Sequence, residues 1–373
     1  MTRLEYLLSA AVLRVLGAVF VLLPIRADRV TLATARLARL DGNLLAIDRA
    51  IRALRPGVRV ALALEPYSYG LLGKLAYAAR LVRGMYLLRT SRLFVVDNAY
   101  LPIHVAAHRP GTTVVQVWHA EGALKRFGVD TVTPLAEPER RFLHRNYDWV
   151  VASGEESREP WSRAFATPLE RVVALGSPRT DAVFDEEELA AARSRVLAAH
   201  PGLAGRRVIL YAPTFRGRGR GKRHGAGLEG LALRAGLPPT DVLVLKSHPN
   251  LDATLVPTAG FDVVVDPRVE LNDLLVVADV LITDYSSAIF DAALLRRPIV
   301  LLVADLEEYE RDPGLYLDYR TEMIGTQVVD TAGVVDAITG WRFDLAAYEP
   351  FIARHLGPCD GHAAARFVET FLA

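Results

Sequence analysis

Residues Asp273–Val303 read DLLVVADVLITDYSSAIFDAALLRRPIVLLV, in which short apolar runs alternate with stretches of helical periodicity. The pattern predicts helices at Leu271–Ala278 and Ser287–Arg296 and buried strands at Val280–Thr283 and Ile299–Val303. Strands rich in Val, Ile and Leu that alternate with helices are typical of parallel sheets built from βαβ units. The segment therefore indicates an α/β fold.

The same alternation extends over most of the chain and forms two series. The other predicted strands are Val58–Leu64, Leu93–Val96, Thr113–Trp118, Trp149–Ala152, Val172–Leu175, Arg207–Ala212, Val242–Lys246 and Val263–Val265. The other candidate helices include Asn43–Leu54, Leu72–Val82, Glu137–Tyr147 and Glu187–Ala199. Two such series in tandem predict two Rossmann-like domains that face each other across a cleft.

The length of 373 residues also suggests two domains, since a domain usually has about 100–200 residues. We place the boundary at Gly176–Asp185, where a Gly-Ser-Pro turn precedes an Ala- and Glu-rich helix. The expected organisation is an apolar helix over residues 1–28, an N-terminal Rossmann-like domain over 29–180 and a C-terminal one over 181–345. Closing helices over 346–373 are expected to pack back on the N-terminal domain.

The composition excludes several classes of protein. Hydrophobic residues make up 51% and charged residues 23%, which excludes a disordered chain. The apolar residues occur as short runs, which excludes a membrane protein with several spanning helices. The net charge of +1 gives no reason to expect a nucleic-acid partner. A single cysteine, Cys359, excludes an internal disulfide and a cysteine-based zinc cluster.

The N-terminal segment Leu7–Pro24 is almost wholly apolar, is interrupted by Arg14, and is followed by Arg26 and Arg29. A central arginine disfavours a spanning helix. We expect a helix that lies on the membrane surface, with its apolar side in the acyl boundary and arginines on anionic headgroups. A buried core helix is the alternative, and a cleaved signal peptide fits less well.

Polar side chains follow the strand in the middle of the Asp273–Val303 segment. Asp284 ends that strand, Ser286 and Ser287 stand where the next helix begins, and Asp291 lies one turn further on. The start of a helix attracts phosphate through its free N–H groups and dipole, and ligands of open α/β sheets bind at the carboxyl ends of strands. An ordinary N-cap is the competing interpretation.

A second cluster lies in VVQVWHAEGALKRFG, Val114–Gly128, where an apolar strand leads to Trp118 and His119. A histidine at a strand end can accept a proton near neutral pH, and the nearby Lys125 and Arg126 could neutralise phosphate. A purely structural histidine is the alternative.

Three further motifs place polar residues at predicted strand ends. They are Lys246 and His248 in VLVLKSHPN, Pro213, Thr214 and Arg216 in VILYAPTFRG, and Arg179 in LGSPRTD. The basic, glycine-rich stretch Arg216–Gly227 is expected to be a mobile loop, with a plain solvated loop as the alternative. Together the five clusters indicate a shared phosphate-binding cleft.

The motifs WHAEGALKRFG, GSPRTD, YAPTFRG, LKSHP and ITDYSSAIFDAALLRRPIVLL, in this order, resemble the CDP-glycerol glycerophosphotransferase family of teichoic-acid synthesis. The resemblance covers about Asn43 to Gln327. It implies a GT-B fold, with residues 29–180 as the acceptor domain and 181–345 as the CDP-glycerol-binding domain. It also implies transfer of glycerol phosphate from CDP-glycerol to a membrane-linked acceptor, with release of CMP.

The resemblance also assigns site residues. It implies that His119 and His248 are catalytic, with His119 the better candidate for the general base. The implied CDP-glycerol-binding residues are Trp118, His119, Ala120, Glu121, Gly122, Lys125, Arg179, Pro213, Thr214, Arg216, Lys246, Ser247, His248, Asp284, Ser286, Ser287 and Asp291. Polymerising members usually read WHG-T-P-L-K, whereas this chain reads WHAEGALK, a form closer to the priming enzymes.

The sequence therefore predicts an enzyme that works at the cytoplasmic face of the membrane as a peripheral protein. Its expected partners are CDP-glycerol, a lipid-linked saccharide or glycerol-phosphate acceptor, and an anionic membrane surface. No cofactor is expected, and the lack of an Asp-x-Asp pair favours a mechanism without metal, although single carboxylates can also hold Mg²⁺. The alternatives are a ribitol-phosphate transferase of the same family, a GT-B glycosyltransferase that uses a nucleotide sugar, and an inactive membrane-bound scaffold.

Overall fold

Two parallel β-sheets organise the chain in the computed structural model, which describes residues 3–64, 66, 70–133, 143–217, 223–225, 227–248, 256–266 and 268–373. Unit 1 comprises Met1–Asp181 and His355–Ala373, and unit 2 comprises Ala182–Arg354. The C-terminal return to unit 1 begins at His355, whereas the sequence interpretation placed it at residue 346. Parts of the expected helix Glu137–Tyr147 and of the basic loop Arg216–Gly227 lie outside the described residues.

The regular elements have the following bounds within the described residues. The α-helices are α1 (Arg3–Phe20), α2 (Gly42–Leu54), α3 (Gly70–Thr90), α4 (Leu101–Val105), α5 (Arg158–Ala164), α6 (Glu186–Ala199), α7 (Gly230–Gly236), α8 (Leu271–Val277), α9 (Ala288–Leu294), α10 (Leu306–Arg311), α11 (Tyr319–Glu322), α12 (Thr331–Thr339), α13 (Tyr348–Leu356) and α14 (Ala363–Phe371). The strands are β1 (Arg26–Thr34), β2 (Arg59–Leu64), β3 (Ser91–Val96), β4 (Thr113–Gln116), β5 (Trp149–Ala152), β6 (Val172–Ala174), β7 (Val208–Tyr211), β8 (Phe215–Arg216), β9 (Arg223–His224), β10 (Val242–Lys246), β11 (Val263–Val265), β12 (Val280–Thr283), β13 (Ile299–Leu302) and β14 (Thr326–Val328).

The sheet of unit 1 has the strand order β2-β1-β3-β4-β5-β6, and all its strand pairs are parallel. The sequence interpretation missed β1, although β1 lies between β2 and β3. Its polar residues hid it: Arg29 is buried and donates to Thr90 Oγ1 over 2.7 Å, and the hydroxyls of Thr31 and Ser91 lie 2.8 Å apart. Buried polar groups are tolerated when they are hydrogen-bonded, which is why a strand with this composition can be central.

The sheet of unit 2 has the order β11-β10-β7-β12-β13-β14 and is also parallel throughout. Its edge strand β14 was missed because it has three residues, TQV, all only half-buried, and so carries little apolar signal. The other predicted strands occur within about two residues of their expected bounds. The expected α/β class with two Rossmann-like sheets is confirmed.

Helices bury the faces of each sheet. In unit 1, Leu44 and Ile47 of α2 and Phe367 of α14 join one apolar cluster with the strands, and α1 and α3 join another. In unit 2, Leu233 of α7 and Val334 of α12 pack with strand residues such as those of β7, β10 and β12. Strand faces that are covered by helices read as continuous apolar runs, which is the pattern that the sequence shows.

The N-terminal helix α1 has one buried face and one exposed face. Ala10 and Leu13 are buried in the cluster that α1 shares with α3, and Arg14 donates from Nε to the carbonyl oxygen of Val105 over 2.7 Å. Arg29 is therefore held inside unit 1, which differs from the headgroup contact expected from the sequence, whereas Arg14 stays exposed although its Nε bonds to Val105. On the opposite face Leu8 is 65% exposed. No helix among the described residues combines the length and the apolar composition that a bilayer crossing requires.

Candidate active site

The centre of the sheet in unit 2 is the topological switch point of that sheet. Strands β7 and β12 are neighbours there, and the chain continues from them toward opposite edges. In open α/β sheets ligands bind outside the carboxyl ends of such strands. The loops that follow are tied together, since the Thr214 N–H donates to Asp284 Oδ1 over 2.8 Å and the Thr283 hydroxyl donates to the Ala212 carbonyl oxygen over 2.7 Å. Pro213 is buried in the same loop.

The two serines that precede α9 lie at this carboxyl end. Ser286 Oγ accepts a hydrogen bond from the Ala288 N–H over 3.2 Å, and both serines are half-buried. Asp291 is buried one turn along α9 and accepts from Asn272 Nδ2 over 3.3 Å. The serine hydroxyls are therefore available to a phosphate group at the helix start, whereas the Asp291 carboxylate is also engaged with α8.

Lys246, Ser247 and His248 follow β10, the strand beside β7. The Lys246 side chain is buried, and burial lowers its pKa, while Glu270 and Asp266 act in the opposite direction. The His248 ring meets the Phe215 ring edge-on, with 4.8 Å between their centroids. Pro249 and Asn250 of the same motif lie outside the described residues. A buried ammonium group favours an anionic ligand, because an opposite charge offsets its desolvation.

Arg216 is bonded to two carboxylates, and its expected contact with CDP-glycerol stays a prediction. Its Nη1 donates to Asp284 Oδ2 over 2.8 Å and its Nε donates to Asp305 Oδ2 over 2.7 Å. The guanidinium carbon also lies 5.0 Å and 4.9 Å from the ring centroids of Tyr285 and Tyr309. The charges of Arg216 and Asp284 thus neutralise each other inside unit 2, and both residues hold the switch-point loops together.

In unit 1, β4 leads to Trp118 and His119. Trp118 has a φ of 51°, and its ring stacks on Phe127 at 4.8 Å and lies 4.2 Å from the His119 ring. His119 Nδ1 lies 3.1 Å from the carbonyl oxygen of Asp97. Because a carbonyl oxygen can only accept, Nδ1 carries the proton and Nε2 of the neutral ring has a free lone pair. Burial, aided by the positive charges of Arg36 and Arg179, lowers the pKa of His119 to about 4.

The residues that follow His119 hold their loop in place. Glu121 is fully buried, and its carboxylate accepts hydrogen bonds from the Arg179 guanidinium and from the Ser177 hydroxyl. The Gly122 N–H donates to Ser153 Oγ over 2.9 Å. Ala120 and Lys125 are half-buried. Glu121 and Arg179 bind each other in the structure, and their expected contact with CDP-glycerol stays a prediction.

Two polar residues beside His119 were missed by the sequence interpretation. Asn43, at the start of α2, bonds to the strand end that carries His119. Asp97 directly follows β3, the neighbour of β1 at the switch point of this sheet, and its Oδ1 is buried with no hydrogen-bond partner among the described atoms. Burial raises the pKa of Asp97. The rule that polar residues at strand ends form sites could have found Asp97, because β3 was predicted, whereas Asn43 gave no such signal.

Side chains that commonly bind metal ions do not cluster, within the described part of the chain, as the polar groups at the strand ends do. Across the described ranges, no three His, Cys, Asp or Glu side chains converge in an arrangement that could hold a metal ion. Besides carboxylates and the guanidinium groups that pair with them, the strand ends carry imidazole, hydroxyl, ammonium and backbone N–H groups. These are groups that transfer protons and bind phosphate oxygens.

The sequence model of CDP-glycerol:poly(glycerophosphate) glycerophosphotransferases matches residues 16–373. The chain belongs to this family. The resemblance drawn from the motifs is confirmed, and this family member is an enzyme of the transferase class.

Individual relatives agree with the family assignment. This transferase is 32% identical over 364 residues to a teichoic acid ribitol-phosphate primase of Bacillus spizizenii, covering 94% of this chain and 93% of the relative. It is 29% identical to a teichoic acid glycerol-phosphate primase of Bacillus subtilis, covering 69% and 68%. The solved wall teichoic acid polymerase TagF superposes with a TM-score of 0.74 at 19% identity, covering 96% of this chain and 92% of that one, which supports the shared fold.

Proposed function

We propose that the transferase moves glycerol phosphate from CDP-glycerol to a hydroxyl group of a lipid-linked, teichoic-acid-type acceptor and releases CMP. The observation that carries the proposal is the neutral His119 ring, whose Nδ1 is committed to the Asp97 carbonyl oxygen while its Nε2 can accept a proton. Family membership supports the choice of donor, and the phosphate-binding groups at the switch point of unit 2 agree with it.

The proposed step balances as follows. The acceptor hydroxyl gives its proton to His119 Nε2, and its oxygen forms a bond to the phosphorus that carries glycerol. The bond from that phosphorus to the oxygen shared with CMP breaks, and CMP leaves with the electron pair. Such a transfer depends mainly on positioning and on stabilisation of phosphate charge. Lys246, Ser286 and Ser287 are the groups of unit 2 that would supply the stabilisation.

A pKa of about 4 keeps His119 neutral at physiological pH, so the base form does not have to be generated before the reaction. Bound phosphate would raise this pKa, because a negative charge favours the protonated ring. The His119 ring is thus neutral before the donor binds, and the bound donor would make the ring a stronger base.

Transfer of ribitol phosphate from CDP-ribitol is the second candidate. It is favoured by one observation, the 32% identity to a ribitol-phosphate primase along nearly the whole of both chains. The two donors share the cytidine nucleotide and the reacting phosphate group and differ in the polyol, so the same site residues would serve both.

We also propose that α1 attaches the protein to the cytoplasmic face of the membrane through its exposed apolar residues. Leu4 is 74% exposed, and Leu22, just after α1, is 85% exposed. Large apolar side chains exposed together are a feature of surfaces that meet a membrane or a partner. A lipid-linked acceptor would be reached from such a position.

The deciding experiment offers the purified protein CDP-glycerol or CDP-ribitol with a lipid-linked acceptor, and measures CMP release and product mass. We expect CMP together with a mass increase of one or more polyol phosphates. His119→Ala should lower the rate by about 10²–10⁴. The matched control is His108→Ala, since His108 lies before β4, at the other end of that strand, and bonds to Asp148. A parallel reaction offers a nucleotide sugar: release of a nucleoside diphosphate there would indicate a glycosyltransferase, and no turnover of any of these donors would indicate a scaffold.

A further inference from the structure

Asn43 connects three segments of unit 1 that are far apart in the sequence. It is 3% exposed and stands at the start of α2. Its Nδ2 lies 3.3 Å from the carbonyl oxygen of Val117 and 3.1 Å from that of Trp118, and its Oδ1 accepts from the Arg179 N–H over 2.8 Å. The Ser177 hydroxyl lies 3.0 Å from the same oxygen.

These contacts allow only one orientation of the amide. Carbonyl oxygens can only accept and a backbone N–H can only donate, so the amide nitrogen must face Val117 and Trp118 and the amide oxygen must face Arg179. Asn43 therefore uses its donors on the strand end that carries His119 and its acceptor on the Gly-Ser-Pro turn. Neither aspartate nor leucine can make both sets of bonds.

The strand end that Asn43 holds is strained. Trp118 has a φ of 51°, in the left-handed region that a bulky residue rarely occupies. Such a conformation persists only where the surroundings over-determine it. Asn43 bonds to the carbonyl oxygens on both sides of the Trp118 Cα, and Gln116 Oε1 accepts from the Trp118 N–H over 2.9 Å. The Val117–Trp118 peptide is thus held on its N–H and on its carbonyl oxygen, and the peptide that leads into His119 is held on its carbonyl oxygen.

We infer that Asn43 is a positioning residue for the transfer reaction. It fixes the Trp118 backbone so that His119 Nδ1 meets the Asp97 carbonyl oxygen and Nε2 keeps the direction needed to accept the acceptor proton. This inference rests on the proposed function, in which His119 is the general base. Asn43 itself touches no reacting atom.

The first test is Asn43→Asp, which preserves the shape and the acceptor oxygen but removes both donor bonds. A misplacement of about 1 Å at a reacting group can cost about 10²-fold in rate. We expect kcat to fall by about 10–100-fold per folded molecule, with the KM for the CDP-polyol donor changed less than threefold. A purely structural asparagine would lower the melting temperature and leave kcat per folded molecule unchanged, so a kcat within twofold of the wild type overturns the inference.

The matched control is Thr112→Val. Thr112 is also buried and donates one hydrogen bond, over 2.8 Å to the Ser91 carbonyl oxygen, just before the start of β4. It should cost stability without lowering kcat. If Asn43→Asp does not fold, Asn43→Ser serves in its place, because it removes the amide group and both donor bonds without adding a charge. A threefold to tenfold fall in kcat then supports the inference, and an unchanged kcat overturns it.

A double variant separates this inference from the proposed function. If Asn43 acts through His119, adding Asn43→Asp to His119→Ala should lower the residual rate no further, because effects of residues that act as a unit are not additive. A further fall of tenfold or more would show that Asn43 acts elsewhere and would overturn the inference. Near-normal turnover of His119→Ala alone would instead refute the proposed base.

Discussion

Replacement of Arg216 by methionine tests whether the switch-point loops of unit 2 are held by an internal ion-pair network. The guanidinium group serves Asp284 and Asp305, and the side chains of the Arg216–Asp284 pair are only 9% and 6% exposed. Methionine has a similar length and no charge, so the buried Asp284 and the half-buried Asp305 would both lose their cation. Removal of one partner of a buried ion pair costs about 3–5 kcal/mol. The neighbouring Thr214 N–H would still bond to Asp284, which favours the lower part of this range.

Hydrogen exchange of the amides in β7 and β12 measures this loss within unit 2. A loss of about 3 kcal/mol corresponds to roughly 150-fold faster exchange through global opening. The matched control is Arg268→Met, because the Arg268–Asp266 pair has side chains that are 88% and 45% exposed. Solvent screens such an exposed pair and leaves it little effect on stability, so this variant should exchange nearly as the wild type does.

The stability of the Arg216→Met variant should also depend on pH, and the direction of that dependence can be worked out. Without the arginine, which lowers the pKa of Asp305 in the wild type, burial should raise that pKa above the value in the unfolded chain. The folded variant then binds more protons than the unfolded chain, so its stability should recover toward that of the wild type as pH falls from 7 to 5. The reasoning would be refuted if the free energy of unfolding of the variant lay within 1 kcal/mol of the wild-type value while the variant no longer bound the donor. Arg216 would then be a ligand contact.

Three other predictions concern the proposed site and the membrane. Because the pKa of His119 is about 4, kcat/KM should stay level from pH 8 to about 5 and fall only near pH 4, and a fall centred near 6.5 would contradict the assignment. Ser286→Ala combined with Ser287→Ala should weaken CDP-glycerol binding by about 1.5–3 kcal/mol for each lost bond, whereas unchanged affinity by calorimetry would favour an ordinary N-cap. Leu8→Gln with Val15→Gln should weaken binding to anionic vesicles and leave turnover of a water-soluble acceptor analogue unchanged, and unaltered vesicle binding would argue against the membrane proposal.

The vesicle experiment uses substitutions because the structure makes truncation of the N-terminus uninformative. Removal of residues 1–29 would delete the buried Leu13 of α1 and the first part of β1, which is a central strand. Loss of activity would then report unfolding of unit 1. Substitution of exposed side chains leaves this core intact, because Leu8 and Val15 lie on the face of α1 away from α3.

The elements that were predicted correctly are those with strong local signals. Strands such as β10 and β12 are continuous runs of Val, Leu and Ile, and their burial on both faces follows from that composition. The missed strand β1 shows the limit of prediction from local patterns, because Arg29 and Thr31 are residue types that are usually exposed. Their burial depends on Thr90 and Ser91, about 60 residues away. No local pattern reports whether a polar side chain will find such a partner.

The motifs also located the proposed site better than they assigned its residues. Strand-end positions such as His119 and Ser286 follow from the rule that parallel strands deliver their carboxyl ends to one edge of a sheet. The roles of Glu121 and Arg179 did not follow, because these residues are 58 positions apart and the sequence does not show that they form an ion pair.

The sequence by itself determined the α/β class, the family and the order of the motifs, because apolar periodicity and short motifs are local properties of the chain. The tertiary structure decided which polar residues remain available for chemistry. It paired Arg216 with two carboxylates and Glu121 with Arg179. It also bonded Asn43 to the carbonyl oxygen of Trp118, the residue before His119. A buried polar group must be hydrogen-bonded or neutralised, and its partner comes from whichever segment the fold brings within about 3 Å.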